Sequence, residues 1–301
     1  KMESNTATQN GGAVYADGSA VTVTIDASAT LKSNTATING GGVYGTNSAT
    51  VTVKGASTLE TNTAVDGAGL YLLKATCTVT SSTLLSNAAS GNGGGWYGDG
   101  SSITLAAVTV TSNTAATNGG AGYMTKAGAG AAIASTLTLS GATSKLTSNI
   151  ATAGAGGGIY FHDGTVGTIT AAELKANSAT AGAGGALYVS ADATVTLANA
   201  VIDGNIAGTD GGGVYATGAL SRVTATGTTA VKNNRAITLA GNGRGGGYAA
   251  FLGATVELTA GTTEANHAKK GGGFYIDAST CKLHGHTVQT NKATVEHGGG
   301  L

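Results

Sequence analysis

The residues that could carry chemistry in this chain recur in columns and do not cluster at one place. Each of its ten tyrosines follows a glycine-rich run. The residues flanking each Tyr are mostly apolar or small, so strand alternation predicts that the ring points outward. The tyrosines are Tyr15, Tyr44, Tyr71, Tyr97, Tyr123, Tyr160, Tyr188, Tyr215, Tyr248 and Tyr275.

Ten outward rings stacked at about 4.8 Å would form a stripe roughly 43 Å long. Soluble monomers rarely expose an aromatic surface of this size, so we expect a partner chain, a sugar polymer or a flanking segment to cover it. The Tyr column is therefore the predicted docking face. The alternative is that stacked Tyr rings only support strand formation.

A second column consists of threonines in the alternating stretch of each repeat. A flat Thr-x-Thr face resembles that of β-solenoid ice-binding proteins, and this resemblance makes ice or a partner a candidate ligand. The competing interpretation is that Thr is favoured at any outward strand position. The predicted column contains Thr22, Thr52, Thr78, Thr104, Thr138, Thr170, Thr196 and Thr224.

A third column is the Asn of an Asn-x-Ala phrase that precedes every glycine run. Successive members lie 25 to 36 residues apart, with a period near 28, and this self-similarity is typical of a solenoid. We expect each Asn to turn inward and bond to backbone and to the Asn one coil away. The predicted ladder contains Asn5, Asn34, Asn62, Asn87, Asn113, Asn149, Asn177, Asn205, Asn234, Asn266 and Asn291.

Carboxylates and imidazoles are not arranged for catalysis or for metal binding. Asp17, Asp99 and Asp163 are each followed by Gly, as in turns, and no Asp-Asp or Asp-x-Asp pair occurs. His284 and His286 flank one Gly, but a zinc site needs three or four converging ligands. We therefore expect no catalytic residue, no cofactor and no metal.

The elements that position these columns are short strands. Alternating stretches such as Val21-Thr22-Val23-Thr24, an aliphatic-x-x-Asn stretch and a stretch centred on Tyr give three strands in about 28 residues. This leaves no room for a helix. The sequence predicts an all-β fold, a single-stranded parallel β-helix of about 11 coils that spans residues 1–301 as one continuous solenoid. Periodicity does not set its handedness, although right-handed crossovers are the general preference.

Composition narrows the class of partner. The chain has 15 basic and 15 acidic residues among 301, and only 10% of its residues are charged. This argues against nucleic acid or anionic lipid as a partner, and the sequence shows no polybasic stripe. No apolar run is long enough to span a bilayer, so we expect no direct membrane insertion in this segment. Because the chain opens and stops inside a repeat, we expect it to be a segment of a longer protein, truncated at both ends.

The paired phrases resemble the repeats of chlamydial polymorphic outer membrane proteins, which alternate a Gly-Gly-Ala-Ile type motif with a Phe-x-x-Asn motif. The matches are Gly11-Gly12-Ala13-Val14, Gly184-Gly185-Ala186-Leu187 and the aliphatic-x-x-Asn series. The chain departs from that pattern by having Gly more often than Ala, an aliphatic residue instead of Phe, and an added Tyr. The resemblance implies a right-handed parallel β-helix at a cell surface or in an extracellular fibre, with adhesion as its usual role and no catalytic residue.

We therefore expect a non-catalytic, structural or adhesive extracellular or cell-surface protein. Its partners would be other chains of a fibre, appendage or coat, including copies of itself, or carbohydrate. Two alternatives remain open at this point. One is an ice-binding solenoid that uses the Thr-x-Thr face, and the other is a β-helix that binds or cleaves carbohydrate.

Overall fold

The computed structural model describes residues 1–128, 133–237, 243–295 and 297–301. They form a right-handed parallel β-solenoid of about ten turns, with coils of about 28 residues, which confirms the predicted fold. Each coil crosses four sheets, A to D, and every strand pairs in parallel with the same strand of the neighbouring coils. No helix occurs in these residues.

Sheet A carries the aliphatic-x-x stretch and is the first that each coil enters. Its middle residue points inward, as in Leu31, Leu59 and Leu84, which are fully buried. Its strands are β1 (Met2–Glu3), β5 (Thr30–Lys32), β9 (Thr58–Glu60), β13 (Thr83–Leu85), β17 (Thr109–Thr111), β21 (Lys145–Thr147), β25 (Glu173–Lys175), β29 (Val201–Asp203), β33 (Ala230–Lys232), β37 (Thr262–Glu264) and β41 (Thr287–Gln289).

Sheet B is the fourth sheet, where three per coil were expected. It contains the x-Ala of the Asn-x-Ala phrase, and two residues are too few for a period-two pattern to reveal. Its strands are β2 (Thr6–Ala7), β6 (Thr35–Ala36), β10 (Thr63–Ala64), β14 (Ala88–Ala89), β18 (Thr114–Ala115), β22 (Ile150–Ala151), β26 (Ser178–Ala179), β30 (Ile206–Ala207), β34 (Arg235–Ala236), β38 (His267–Ala268) and β42 (Lys292–Ala293).

Sheets C and D carry the Tyr and Thr stretches. Sheet C consists of β3 (Val14–Asp17), β7 (Val43–Thr46), β11 (Leu70–Leu73), β15 (Trp96–Asp99), β19 (Gly122–Thr125), β23 (Ile159–Phe161), β27 (Leu187–Ser190), β31 (Val214–Thr217), β35 (Tyr248–Phe251) and β39 (Phe274–Asp277). Sheet D consists of β4 (Thr22–Ile25), β8 (Thr50–Val53), β12 (Thr76–Thr80), β16 (Ser102–Ala106), β20 (Thr136–Ser140), β24 (Val166–Thr170), β28 (Thr194–Ala198), β32 (Arg222–Thr226), β36 (Thr255–Thr259) and β40 (Thr280–His284). A coil is numbered here from its sheet A strand, so that coil 1 begins at β1 and coil 11 at β41.

One continuous apolar core runs along the axis between these sheets. Neighbouring coils place different side chains at equivalent core positions, and the largest one has a glycine beside it. Trp96 in coil 4 is followed in register by Gly122 in coil 5, and a Cβ at Gly122 would overlap the indole. The core is therefore filled by complementary volumes and not by identical layers.

The glycine runs form the corner between sheets B and C. Gly40 has φ +67°, a left-handed conformation in which glycine is the least strained residue. A Cβ at the next residue, Gly41, would overlap the carbonyl oxygens of Thr63 and Ala68 in the next coil. Backbone therefore packs directly on backbone at this corner, and sheet B lies close against the start of sheet C.

Candidate binding faces

The Tyr column lies on the outer face of sheet C. Eight tyrosines, Tyr15 to Tyr215, stand in register through coils 1 to 8. Their rings stack at centroid separations of 4.5 to 5.3 Å, with interplanar angles of 9° to 26°. Such offset stacking stabilises neighbouring coils against each other.

Tyr248 does not belong to this column, contrary to the sequence-based expectation. It pairs with Val214 and Phe274, points into the core and is fully buried, while Ala249 takes the column position beside Tyr215. The reason is that Tyr248 follows Gly247 directly. Because no apolar residue separates them, Tyr248 lies one strand position earlier than the other tyrosines do. Strand alternation then points its ring into the core.

Phe251 fills the gap that Ala249 leaves. It is two residues along β35 and on the same outward face, and its ring stacks on Tyr215 at 5.3 Å and lies 5.6 Å from Tyr275. The row of rings is therefore continuous from coil 1 to coil 10. We call this row the Tyr stripe; it consists of Tyr15, Tyr44, Tyr71, Tyr97, Tyr123, Tyr160, Tyr188, Tyr215, Phe251 and Tyr275.

The Tyr stripe is less exposed than strand alternation alone implies, because the rings cover one another's faces. Tyr15 is 54% exposed at the first coil, whereas Tyr44 and Tyr71 are 7% and 8% exposed. From Tyr97 onward the Tyr residues of the stripe are half-buried. Burial raises the pKa of Tyr71 and Tyr97 well above that of free tyrosine, so both hydroxyl groups remain protonated at neutral pH. What the stripe presents to a partner is ring edges and hydroxyl groups.

Two carboxylates lie beside the central rings of the stripe. Burial first, and then the negative charges of Asp66 and Asp99, raise the pKa of Tyr71 and Tyr123. Burial also raises the pKa of Asp99 itself, although Lys74 opposes that shift. The Asp99 Oδ1 atom is buried and accepts no hydrogen bond in the described residues.

At coils 8 to 10 the stripe has a cation beside it. Arg244 forms a two-pronged ion pair with Asp210, with its Nε 3.0 Å from Oδ1 and its Nη2 2.9 Å from Oδ2. The same guanidinium lies 4.5 Å from the Phe251 centroid and 5.2 Å from that of Tyr275, which is cation–π distance. The hydrogen bond to Asp210 raises the pKa of Arg244 further above its already high value.

The Thr column lies on the outer face of sheet D, but two members were assigned to the wrong column. Thr22 pairs with Thr50, and Thr170 pairs with Ser140, so both lie two residues away from the position of Thr52. A period-two pattern fixes the face of a strand but allows a slip of two residues. The column in register is Thr24, Thr52, Thr78, Thr104, Thr138, Thr168, Thr196 and Thr224, followed by Glu257 and Lys282.

A second hydroxyl column accompanies it on the same face. Thr22, Thr50, Thr76, Ser102 and Thr136 stand in register in coils 1 to 5, each two residues before a Thr of the first column. Val166 and Arg222 replace the hydroxyl in coils 6 and 8. The regular Thr-x-Thr face is thus confined mainly to the first five coils.

The eleven predicted ladder asparagines form one row between sheets A and B, which is buried from Asn34 to Asn266 and ends in the exposed Asn5 and the half-buried Asn291. In coil 5, for example, the backbone N–H and the Nδ2 of Asn113 both donate to Oδ1 of Asn149, each at 3.0 Å. Its Nδ2 also donates to the Leu84 carbonyl, 3.0 Å away in the preceding coil. The same pattern links the row from Asn5 to Asn291. We call this row the inner ladder.

The residue before each inner-ladder Asn is in the left-handed backbone region. Examples are Ser33 at φ 53°, Ser112 at φ 57° and Asn233 at φ 56°. This conformation costs a non-glycine residue about 1 to 2 kcal/mol, yet it bends the chain so that the amide points inward. The buried hydrogen bonds of the ladder offset that cost.

A second row of amides was not anticipated, and we call it the outer ladder. Asn10, Asn39, Asp66, Asn92 and Asn118 each precede the first Gly of a run in coils 1 to 5. The backbone N–H of Asn118 donates to Oδ1 of Asn92 at 3.2 Å, and Asn118 Oδ1 accepts from the N–H of Ala155 at 2.9 Å. The recurrence of Asn or Asp before Gly is visible in the sequence, but the same dipeptides are typical of ordinary turns.

Histidines and carboxylates do not converge in the described residues, where no group of three or more His, Cys, Asp or Glu side chains is placed to hold a metal. His286 turns inward, with its Nε2 2.9 Å from Thr263 Oγ1 and its Nδ1 2.5 Å from the Ala260 carbonyl oxygen, while His284 is exposed. The two imidazoles therefore do not share a face. The described residues also include no helix with the length and hydropathy of a membrane-spanning helix.

Comparison with known proteins does not identify a family for this chain. The chain matches no protein-family model, and it shows no significant similarity to a curated protein or to a solved structure.

Proposed function

We propose that this chain is a non-catalytic, structural or adhesive component of an extracellular fibre, appendage or coat, and that it docks a partner chain along the Tyr stripe. The observation that carries the proposal is the continuity of the stripe over ten coils. Where the sequence places Ala249 in the column, Phe251 supplies the missing ring from the neighbouring outward position. An extended, regular face suits an extended partner better than a small molecule.

The chemistry of the stripe fits protein or sugar partners. Ring edges supply apolar contact, and phenol hydroxyls donate and accept hydrogen bonds, a combination enriched at protein interfaces. The stripe is polar enough at its edge to remain soluble when uncovered. The resemblance to the chlamydial outer membrane protein repeats supports the same class of function, because the Gly-Gly corner and the aliphatic-x-x-Asn ladder are the motifs that the two have in common.

Electron microscopy of the protein isolated with its native assembly tests this proposal. Continuous density from a neighbouring chain along sheet C is the expected result. Rods whose Tyr stripe faces only solvent would overturn it.

Variants separate docking from a purely structural role of the rings. Replacing Tyr123 and Tyr160 together by Thr, which strands accept well, should prevent incorporation into the assembly. Because this change also removes stacking between coils and should lower Tm, incorporation is compared at a temperature at which circular dichroism shows the variant to be folded. The matched control exchanges Thr104 and Thr138 on sheet D for Ser. If the Tyr variant assembles as well as this control does, the stripe is not the docking face.

A second candidate function, ice binding, is favoured by one specific observation. In coils 1 to 5 two hydroxyl columns stand side by side in register on sheet D, such as Thr76 and Thr78 beside Ser102 and Thr104. Replacing Thr78 and Thr104 by Tyr should then abolish thermal hysteresis. A chain that shows no thermal hysteresis before substitution excludes this candidate.

A further inference from the structure

Charged residues on the outside of this solenoid follow a rule of alternating sign. On sheets A and D, whenever a described charged residue faces another in the neighbouring coil, the two are of opposite sign. The stacked sets are Glu3, Lys32 and Glu60; Lys145 and Glu173; Lys175, Asp203, Lys232 and Glu264; and Glu257 and Lys282. This arrangement is expected, because like charges directly opposite each other on a sheet are destabilising.

Sheet B departs from this arrangement at one place. Arg235, His267 and Lys292 stand in register on β34, β38 and β42, so that two cations flank a histidine and no carboxylate separates them. In coils 1 to 8 the same position is always uncharged, occupied by Thr, Ala, Ile or Ser. We call these three residues the cation column.

No described carboxylate forms an ion pair with this column. Arg235 and Lys292 are exposed, and neither forms an ion pair with a described residue, whereas Lys32 and Lys175 on sheet A contact Glu60 and Asp203. Burial first, and then the charges of Arg235 and Lys292, lower the pKa of His267, so its imidazole is mainly neutral at pH 7 and offers a ring N–H donor between the two cations. Among the described residues, the acidic partner that the lysines of sheet A have is absent from this column.

The surface beside the column is a shallow groove. Ala236 and Ala268 form its floor, and Ile237, His267, Lys269 and Thr294 line its sides. Small floor residues let a ligand approach the strands closely. The groove lies on sheet B and is thus separate from the Tyr stripe on sheet C.

We propose that the cation column binds a linear acidic polysaccharide, one whose sulfate or carboxylate groups lie along the solenoid axis against Arg235, His267 and Lys292. The two cations lie two coils apart, about 9.6 Å, with the His267 imidazole between them, a spacing that suits charged groups of a sugar chain lying along the axis. This function is independent of docking through the Tyr stripe.

Nucleic acid is a poorer match for the same charge. Sequence-independent binding of single strands uses aromatic side chains on which bases stack, in addition to a positively charged groove. The described lining of the groove consists of alanine, isoleucine, threonine, His267 and Lys269 and includes no Tyr, Trp or Phe. Two cations in the column are also few for a polymer that is bound mainly through phosphate charge.

The sequence conceals this column because its members lie 32 and 25 residues apart. The sequence therefore contains no run of Lys and Arg at this place. Only the register of coils 9 to 11 brings the three side chains together.

Binding measurements with defined polymers test the proposal. Dextran sulfate and polygalacturonate are titrated against the chain at low ionic strength, with neutral dextran and a single-stranded oligonucleotide as comparisons. We expect binding to at least one acidic polysaccharide, weakening as salt increases, and none to neutral dextran. Binding to neither acidic polymer, or an oligonucleotide affinity equal to that for the glycan, would overturn the proposal.

A pair of charge-matched variants locates the site. Arg235→Gln with Lys292→Gln should weaken binding about tenfold, on the scale of two exposed ionic contacts. Lys145→Gln with Lys175→Gln removes the same charge from sheet A and should leave the affinity within about twofold. Equal losses in the two double variants would mean that only net charge matters and would contradict a specific site.

Stability measurements distinguish a binding role from a structural one. Since Arg235 and Lys292 carry like charges on the same face and form no ion pair with a described residue, Arg235→Gln with Lys292→Gln should keep the parent Tm or raise it. A lowered Tm would show that the column serves the fold and would count against a binding function.

Discussion

The inner and outer ladders use the same amide chemistry in two different environments. The inner ladder is unbroken through eleven coils and buried in all but its two end residues, whereas the outer ladder lies near the surface and already contains Asp66 in coil 3. Ala155 and Ala183 interrupt it in coils 6 and 7, and Asp210 occupies the same position in coil 8. An unpaired amide costs far more in the core than at a surface where water can replace a partner. Burial therefore determines how strictly each coil must repeat the residue.

The largest effect should come from breaking the inner ladder. Asn113→Ala leaves the N–H and Nδ2 of Asn87 without their acceptor and the Leu84 carbonyl without its side-chain donor, all buried. We expect the free energy of unfolding to fall by about 3 to 5 kcal/mol, measured by urea denaturation. Asn118→Ala in the outer ladder is the matched control and should cost about 1 kcal/mol. Similar losses in both variants would contradict the role assigned to burial.

The charged rung of the outer ladder should give an intermediate effect. Asp210→Ala removes both contacts to the Arg244 guanidinium and the acceptor for its backbone N–H. We expect a loss of about 1 to 2 kcal/mol, because hydrogen bonds to charged groups are stronger than neutral ones but this pair is partly solvated. Asp210→Asn keeps the acceptor for the N–H and should lose less. If the two variants are equally stable, the ion pair contributes nothing measurable.

Restoring the outer ladder should give a smaller effect of opposite sign. Ala155→Asn with Ala183→Asn places an amide at each interrupted position, so that residue 155 can donate to Asn118 and accept from the N–H of residue 183. We expect a gain of about 1 kcal/mol in urea denaturation. Ala153→Asn, on a neighbouring exposed position, serves as the control. A double variant no more stable than this control would show that water already satisfies these groups.

The smallest effect concerns the protonation of a half-buried imidazole. Burial lowers the pKa of both His286 and His267, so the unfolded chain binds more protons than the folded chain near the ordinary histidine value of 6.5 and just below it. Stability should therefore decrease as the pH falls from 7.5 through 6.5, and His286→Asn should reduce that slope. Thermal melts across this range measure the slope, and identical slopes in the parent and the variant would contradict the assignment.

The sequence was sufficient for the solenoid and for the faces that its columns occupy. The 28-residue period and the aliphatic-x-x-Asn phrase predicted the coil and the inner ladder, because a buried amide permits no variation. The two-residue strands of sheet B were not predicted, since they are shorter than one hydrophobic period. The register of the exposed columns was harder to predict. Thr22 and Thr170 were placed two residues away from their true column, because a slip of two residues leaves a side chain on the same face of the strand.

The candidate sites were harder to predict than the coil. The orientation of Tyr248 depends on the absence of a residue between it and its glycine run. The shared Gly-then-Tyr motif does not reveal this difference. The stacking that half-buries the Tyr stripe depends on side-chain conformation. The cation column depends on which residues of distant repeats become neighbours, and this is set by the length of each intervening loop.

Because all the interstrand hydrogen bonds of this solenoid run along its axis, it should respond differently to force in two directions. Pulling the whole rod lengthwise stresses four sheets and both ladders of a coil boundary at once. Pulling on one chain end instead unwinds the last coil alone, and each coil of about 28 residues releases roughly 95 Å of extended chain. A rod built this way would be stiff under distributed tension and would lengthen in regular steps when a single chain end is pulled.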